Sequence, residues 1–226
     1  MILDCENNVL PSSDQLGSLT SHLAGRAVER SIAGRRDEYE REMARIVDAT
    51  FELIRRTGTI DPSMREILAE TGLSTQAFYR YFNSKDELML GLLDEGRRRL
   101  LGTLERRMQR ADSPSAEIRA WIEGVLAQAS TATAAARTRP WIANEPKLTE
   151  LFPAEQRASV DLLVDLLITP ATSLGKVSGE EDVRRNATSV YRLVFATLQA
   201  HLADGTRPAP KEVDELIAFC LRGLGG

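Results

Sequence analysis

The chain has 226 residues, 42% of them hydrophobic and 27% charged, with a formal net charge of -4. That is ample apolar material for a substantial core, while the acidic balance excludes a protein that coats nucleic acid by charge alone and leaves only local positive patches for such a partner. No run approaches the roughly 20 apolar residues of a membrane span, and Asp4 and Glu6 stand where a secretory leader would carry positive charge, so a cytoplasmic protein with no membrane partner is expected.

In chain order, residues 1–35 have no sustained hydrophobic period and carry Pro11-Ser12-Ser13-Asp14. They are expected to form a flexible or loosely helical arm, residues 19–36 being the part able to coil. Arg26, Arg30, Arg35 and Arg36 make its end basic. Such an arm either stays a solvated tail or reaches into an adjacent groove or along phosphates. Over residues 37–57, Tyr39, Met43, Ile46, Val47, Phe51 and Ile54 recur at helical spacing, and Gly58 stops the helix.

Ser63 with Glu66 forms a capping-box pattern, Met64, Ile67 and Leu68 supply an apolar face, and Gly72 ends that helix. Ser74 can cap a second helix in which Phe78 and Phe82 point inward while Gln76, Tyr79 and Arg80 point away. Ser84 with Glu87 repeats the capping box, so a third helix starts with Lys85 in its first turn. The helix dipole disfavours a cation there unless an anion, such as a DNA phosphate, lies close. From Gly72 to Lys85 there are two basic residues, Arg80 and Lys85, and no acidic ones. Residues 36–83 thus read as a three-helix, helix-turn-helix unit whose Gln76 face is free to probe duplex DNA.

The run Tyr79-Arg80-Tyr81-Phe82-Asn83-Ser84-Lys85-Asp86-Glu87-Leu88 resembles the recognition-helix signature of the TetR (tetracycline repressor) family of transcriptional regulators. Arg65, Glu66, Ile67, Gly72, Tyr79, Phe82, Lys85 and Leu88 fall where such regulators carry the same or similar residue types. Two positions depart: Leu68 stands where alanine is usual and Ala77 where a small hydroxyl is common. The resemblance implies an all-α protein with an N-terminal helix-turn-helix domain and a larger helical effector-binding and dimerisation domain over residues 84–226. It further implies a homodimer that represses from a near-palindromic double-stranded DNA operator and is released by a small effector, without a cofactor; the apolar composition of the middle helices points to a lipophilic one.

Residues 85–110 continue as one uninterrupted helix able to connect two bodies. Leu88, Leu92, Leu93, Leu100, Leu101, Leu104 and Met108 line it, and Arg97, Arg98, Arg99, Arg106 and Arg107 are expected to be its solvated face. Ser113 and Pro114 open a further helix to about Arg137, with Trp121, Ile122, Val125 and Leu126 as its stripe. Residues 139–146, with Pro140 and Pro146, read as a break, followed by a short element at Leu148, Leu151 and Phe152. Residues 154–168 are apolar on nearly every side except at Asp161 and Asp165, which predicts an interior helix with one thin solvated stripe. Ser178 with Glu181 caps a helix carrying Val183, Ala187, Val190, Tyr191, Val194 and Leu198 on one face; Gly205 and Pro208-Ala209-Pro210 end it. The last helix has Val213, Leu216, Ile217, Cys220, Leu221 and Leu224 in one stripe.

Gln76 and Thr75 are the candidates for base edges, because an amide or hydroxyl can pair with groups exposed in the major groove. Ser63, Arg65, Tyr79, Arg80, Tyr81 and Lys85 are candidates for phosphates, with Arg80 suited to either role. By resemblance, the effector pocket lies near Leu104, Met108, Trp121, Val125, Trp141, Leu163, Tyr191 and Phe195, residues that equally describe an ordinary core. The family's last two helices double across a two-fold axis, which assigns Val190, Val194, Leu198, Leu216, Ile217 and Cys220 to a dimer interface; packing within one subunit is the alternative. His22 and His201 are the only histidines, and Cys5 and Cys220 are too scattered for a disulfide framework or a metal site. A helical ligand sensor without DNA binding and a small helical enzyme are the rival readings.

Overall fold

The computed structural model describes residues 13–58, 61–175 and 179–225, with side chains from residue 29 onward, and every element among them is helical. Cys5, His22, Arg26 and Ser178 lie outside the described side chains. No helix among the described residues is long and apolar enough to cross a membrane.

Helix α1 (Ser13–Thr57) is a single run of 45 residues, where the apolar pattern predicts an arm and then a helix from residue 37. No proline follows Pro11 in this stretch, and short-range contacts bridge successive turns: Arg36 pairs with Glu40 at 2.8 Å, and Arg35 Nε donates to the Ser31 carbonyl at 3.4 Å. Residues 29–41 are exposed, including Tyr39, which the periodicity puts on the apolar stripe. Packing divides the chain between Ile46 and Val47.

The second of these units holds α2 (Met64–Thr71), α3 (Thr75–Phe78), α4 (Lys85–Met108) and α5 (Pro114–Leu126). After a short 3₁₀ turn at Ala127–Ala129 come α6 (Ala132–Leu151), α7 (Pro153–Ser173), α8 (Glu180–Asp204) and α9 (Pro210–Gly223). Helix α5 lies at the centre and packs on α4, α7, α8 and α9. Its Trp121 is fully buried, with the indole Nε1 donating to the Leu163 carbonyl at 3.1 Å. Gly124 sits where α4 and α5 cross: a Cβ there would lie 2.5 Å from Leu104 Cδ2. Only the absence of a side chain allows that approach.

Four expectations need correction. The break expected over residues 139–146 falls instead at residues 127–131, where Thr131 caps α6 by accepting from the Ala134 amide at 3.1 Å. Pro140 and Pro146 lie inside α6. Each interior proline costs about 3 kcal/mol, and burial of Trp141 and Leu148 offsets part of that. Helix α7 does not lie inside; it buries one face, leaving Leu162 half exposed and turning Asp161 and Asp165 outward to Arg184.

Arg97, expected in solvent, is buried. It falls on the apolar face of α4, four residues after Leu93, and long-range partners described below compensate its charge. The fourth correction concerns the dimer residues. Val190, Val194, Leu198, Ile217 and Cys220 are buried in the chain's own core, and Leu216 is half buried against it. Helix α8 packs on α7 and α5, and α9 on α5 and α8, so these stripes lie against the chain's own helices. What α8 and α9 leave exposed is Leu193 and Phe219, the latter at 60%.

Candidate nucleic-acid interface

The reader is built from short-range capping. Ser63 Oγ accepts from the Glu66 amide at 3.3 Å while the Glu66 carboxylate accepts from the Ser63 amide at 2.8 Å, closing the predicted capping box on α2. These hydrogen bonds, the side-chain one first, hold the Glu66 carboxyl below its ordinary range. Gly72, at φ 69°, takes the left-handed conformation that ends α2 and turns the chain toward α3. Ser74 Oγ then accepts from the Ala77 amide at 3.1 Å.

Helix α3 is only four residues long, and its last turn tightens as Arg80 and Tyr81 donate to the Ala77 and Phe78 carbonyls. Phe78 and Phe82 are buried with ring centroids 5.5 Å apart, which fixes α3 against the body of the reader. At the start of α4, Glu87 reaches past its cap: its carboxylate accepts from the Asn83 backbone and side-chain nitrogens, while Ser84 Oγ accepts from the Glu87 amide at 3.0 Å.

Ser63, Arg65, Thr75, Gln76, Tyr79 and Arg80 are all exposed, and Tyr81 and Lys85 are half exposed. Arg80 lies over the Tyr81 ring, 5.9 Å from its centroid. Lys85 already has an anion, since its ammonium pairs with Asp61 at 2.5 Å. A neighbouring cation, Lys147, is likewise held by Asp86 at 2.5 Å. The surface around Lys85 is therefore locally neutralised, and a phosphate would have to take Asp61's place.

Beneath α4 lie two adjoining cavities. The outer one, of about 340 Å³, is bounded by Phe51, Gly96, Arg99, Arg107, Arg137 and Trp141. The inner one, of about 60 Å³, shares Gly96, Leu100, Gln128, Thr138 and Trp141 with it and ends at Phe195, Arg97 and Glu145. At that end Arg97 donates to Glu145 at 2.8 Å and to Gln156 at 2.6 Å, and Gln199 donates to the other Glu145 oxygen at 3.2 Å. Burial and then the Glu145 charge push the Tyr191 phenol up, partly offset by Arg97.

At the outer wall, Phe51 stacks on Trp141 at 5.1 Å, and Arg99 sits 5.2 Å over the Phe51 ring while pairing with Glu95 and Asp48. A separate groove of about 410 Å³ between α4 and α7 is lined by Asp94, Arg98, Leu101 and Leu162 among others.

Of the predicted pocket residues, Trp141 and Phe195 line the inner cavity and Leu163 the groove. Leu104, Met108, Trp121, Val125 and Tyr191 fill the core instead. Sequence reasoning missed Gly96, Arg97, Gln128, Arg137 and Thr138. Only Arg97 carried a signal, as a charge on an otherwise apolar helix face.

Residues 46–92 match the family described as bacterial regulatory proteins, tetR family. None of the curated proteins matches the chain. Among solved structures it is similar to a TetR transcriptional regulator from Rhodococcus sp. RHA1, at 17% identity and TM-score 0.63, over 82% of this chain and 97% of that one. It is similar to E. coli NemR in its reduced form, at 16% identity and TM-score 0.61, over 80% and 95%. The fatty acid degradation regulator FadR from Bacillus halodurans gives 17% identity and TM-score 0.55, over 82% and 95%. At these identities the likeness is one of fold.

Proposed function

We propose that this TetR-family transcriptional regulator, with its family-matched reader at residues 46–92, is a homodimeric repressor that leaves a near-palindromic operator when a small effector enters the cavities beneath α4. The observation that carries this reading is the double use of two helices. Helix α4 begins at the reader and lines both cavities with Gly96, and α1 contributes Phe51 to the outer wall and Asp48 to the Arg99 pair. A ligand that displaces those groups bears directly on the helices that carry the reader. It shifts the operator-binding state only as far as its affinity differs between the two arrangements.

On DNA, Gln76 and Thr75 read base edges, while Ser63, Arg65, Tyr79, Tyr81 and Lys85 hold phosphates and Arg80 serves either purpose. The second subunit docks on the side of α8 and α9 that this chain leaves bare, around Leu193 and Phe219. Arg30, Arg35 and Arg36, exposed on α1, add phosphate contacts. Acting on chromosomal DNA, the protein works in the cytoplasm.

Anisotropy titrations on the DNA upstream of the protein's own gene test the reading. Expected is salt-sensitive binding of a dimer to one near-palindromic site, weakened by Gln76→Ala. Deleting residues 1–34 should lower affinity at low salt without altering dimerisation. Failure to distinguish that DNA from random duplex returns the chain to a ligand sensor without DNA binding.

A further inference from the structure

We infer that the ligand of the cavities beneath α4 is an organic anion with an apolar body, its acid group held at the outer mouth by Arg107 and Arg137 and its body packed in the outer cavity against Trp141. The inference rests on the effector reading above and gives that ligand its chemistry.

No carboxylate lines the outer cavity, whereas three guanidinium groups do: Arg99, Arg107 and Arg137. Arg99 is already committed to Glu95 at 2.8 Å and Asp48 at 3.0 Å. Among the described residues, Arg107 and Arg137 make no ion pair. The mouth therefore carries net positive charge that an anion can neutralise.

The inner end differs. Its single cation, Arg97, is balanced by Glu145 and further bonded to Gln156, and Leu93, Leu100, Trp141, Ile142 and Phe195 supply its apolar wall. An anionic group would gain little there and lose its hydration, so the ligand's charge stays at the mouth, while its apolar part fills the larger outer cavity. The aromatic wall is Trp141, which lines both cavities and is backed by Phe51 stacked on it at 5.1 Å. An apolar body gains contact against that wall. Gly96 adds room, since a Cβ built on it meets nothing within 4 Å although both cavities border it.

Two probes of the same shape separate charge from apolar fit: 8-anilinonaphthalene-1-sulfonate and N-phenyl-1-naphthylamine, which lacks the sulfonate. Each is titrated into the full-length protein by fluorescence at low salt. Arg107→Gln with Arg137→Gln should weaken the sulfonate by about tenfold and leave the neutral probe within about twofold. Added salt should have the same selective effect. Gly96→Leu should weaken both probes by filling the shared space; circular dichroism and thermal melting confirm that the variants fold. The two arginines are exposed, so their substitution keeps the test valid even if Gly96→Leu does not fold.

Equal response of the two probes to the double substitution, or none by the sulfonate, overturns the inference. Operator release, followed in parallel by anisotropy, tests the other reading separately. Arginine-dependent sulfonate binding without release supports the anion site and overturns its role as effector site. Release by both probes alike, untouched by the double substitution, overturns the anion site.

Discussion

Gln76 is exposed on α3, and its amide offers a donor and an acceptor to a base edge. Gln76→Ala should flatten the ranking of operator variants by about 1–3 kcal/mol at the position it reads, measured by competition anisotropy. Lys85 is a different case, because its ammonium is shared with Asp61. Lys85→Ala should weaken binding to all sequences and lower the salt slope by about one. Asp61→Asn removes the competitor and should tighten binding to all sequences alike; weaker binding would mean that Asp61 orients the lysine. Cys220 is buried, which pushes its thiol up to about 11 from an ordinary value of 9.0. The folded state thus holds this proton more tightly than the unfolded chain. The resulting stability is fully present below pH 9 and is lost as pH rises toward about 11. Urea unfolding of wild type against Cys220→Ala should therefore show a difference that shrinks across that window.

Where α4 crosses α5, the packing has no room for a methyl group at Gly124. Leu104 is wholly buried and cannot swing aside without disturbing its neighbours. Gly124→Ala should cost about 1–3 kcal/mol, read from the urea midpoint at unchanged slope. Helix α2 depends on its cap, so Ser63→Ala should cost about 1 kcal/mol and blunt DNA binding together with stability. Because the Glu66 carboxyl is held below its ordinary range, the part of this cap that depends on its charge is present above that range and lost as pH falls through the depressed value.

For the whole molecule, the covered stripes change which substitution tests the dimer. Leu216 packs partly against the core, so Leu216→Glu strikes folding as well as assembly. Phe219 is 60% exposed and Leu193 36%, so Leu193→Glu with Phe219→Glu burdens only the outer face. Sedimentation should show folded monomers, and operator affinity should fall steeply while Gln76 and Lys85 remain in place. A folded, dimeric and fully operator-competent variant would put the second subunit elsewhere.

The elements whose shape depends on neighbours a few residues away were legible in the sequence. Ser63, Ser74, Ser84, Ser113 and Thr131 cap helices, Gly72 turns the chain, and the 3.6-residue period puts Phe78 and Phe82 inside with Gln76 outside. Of these caps only Thr131 went unread, because Pro140 and Pro146 drew the break downstream. Capping and periodicity act through bonds three or four residues long, so composition and order suffice to specify them. What the tertiary structure alone decided involves partners far along the chain. Arg97 is inside because Glu145 and Gln156 come to meet it, and burial of Trp141 and Leu148 offsets part of the cost of two prolines inside α6. The stripes of α8 and α9 face inward because α5 and α7 pack on them, and a cavity opens beneath α4 where Gly96 leaves space between helices. An apolar stripe specifies that a face will be covered; only the packing of the other helices determines what covers it.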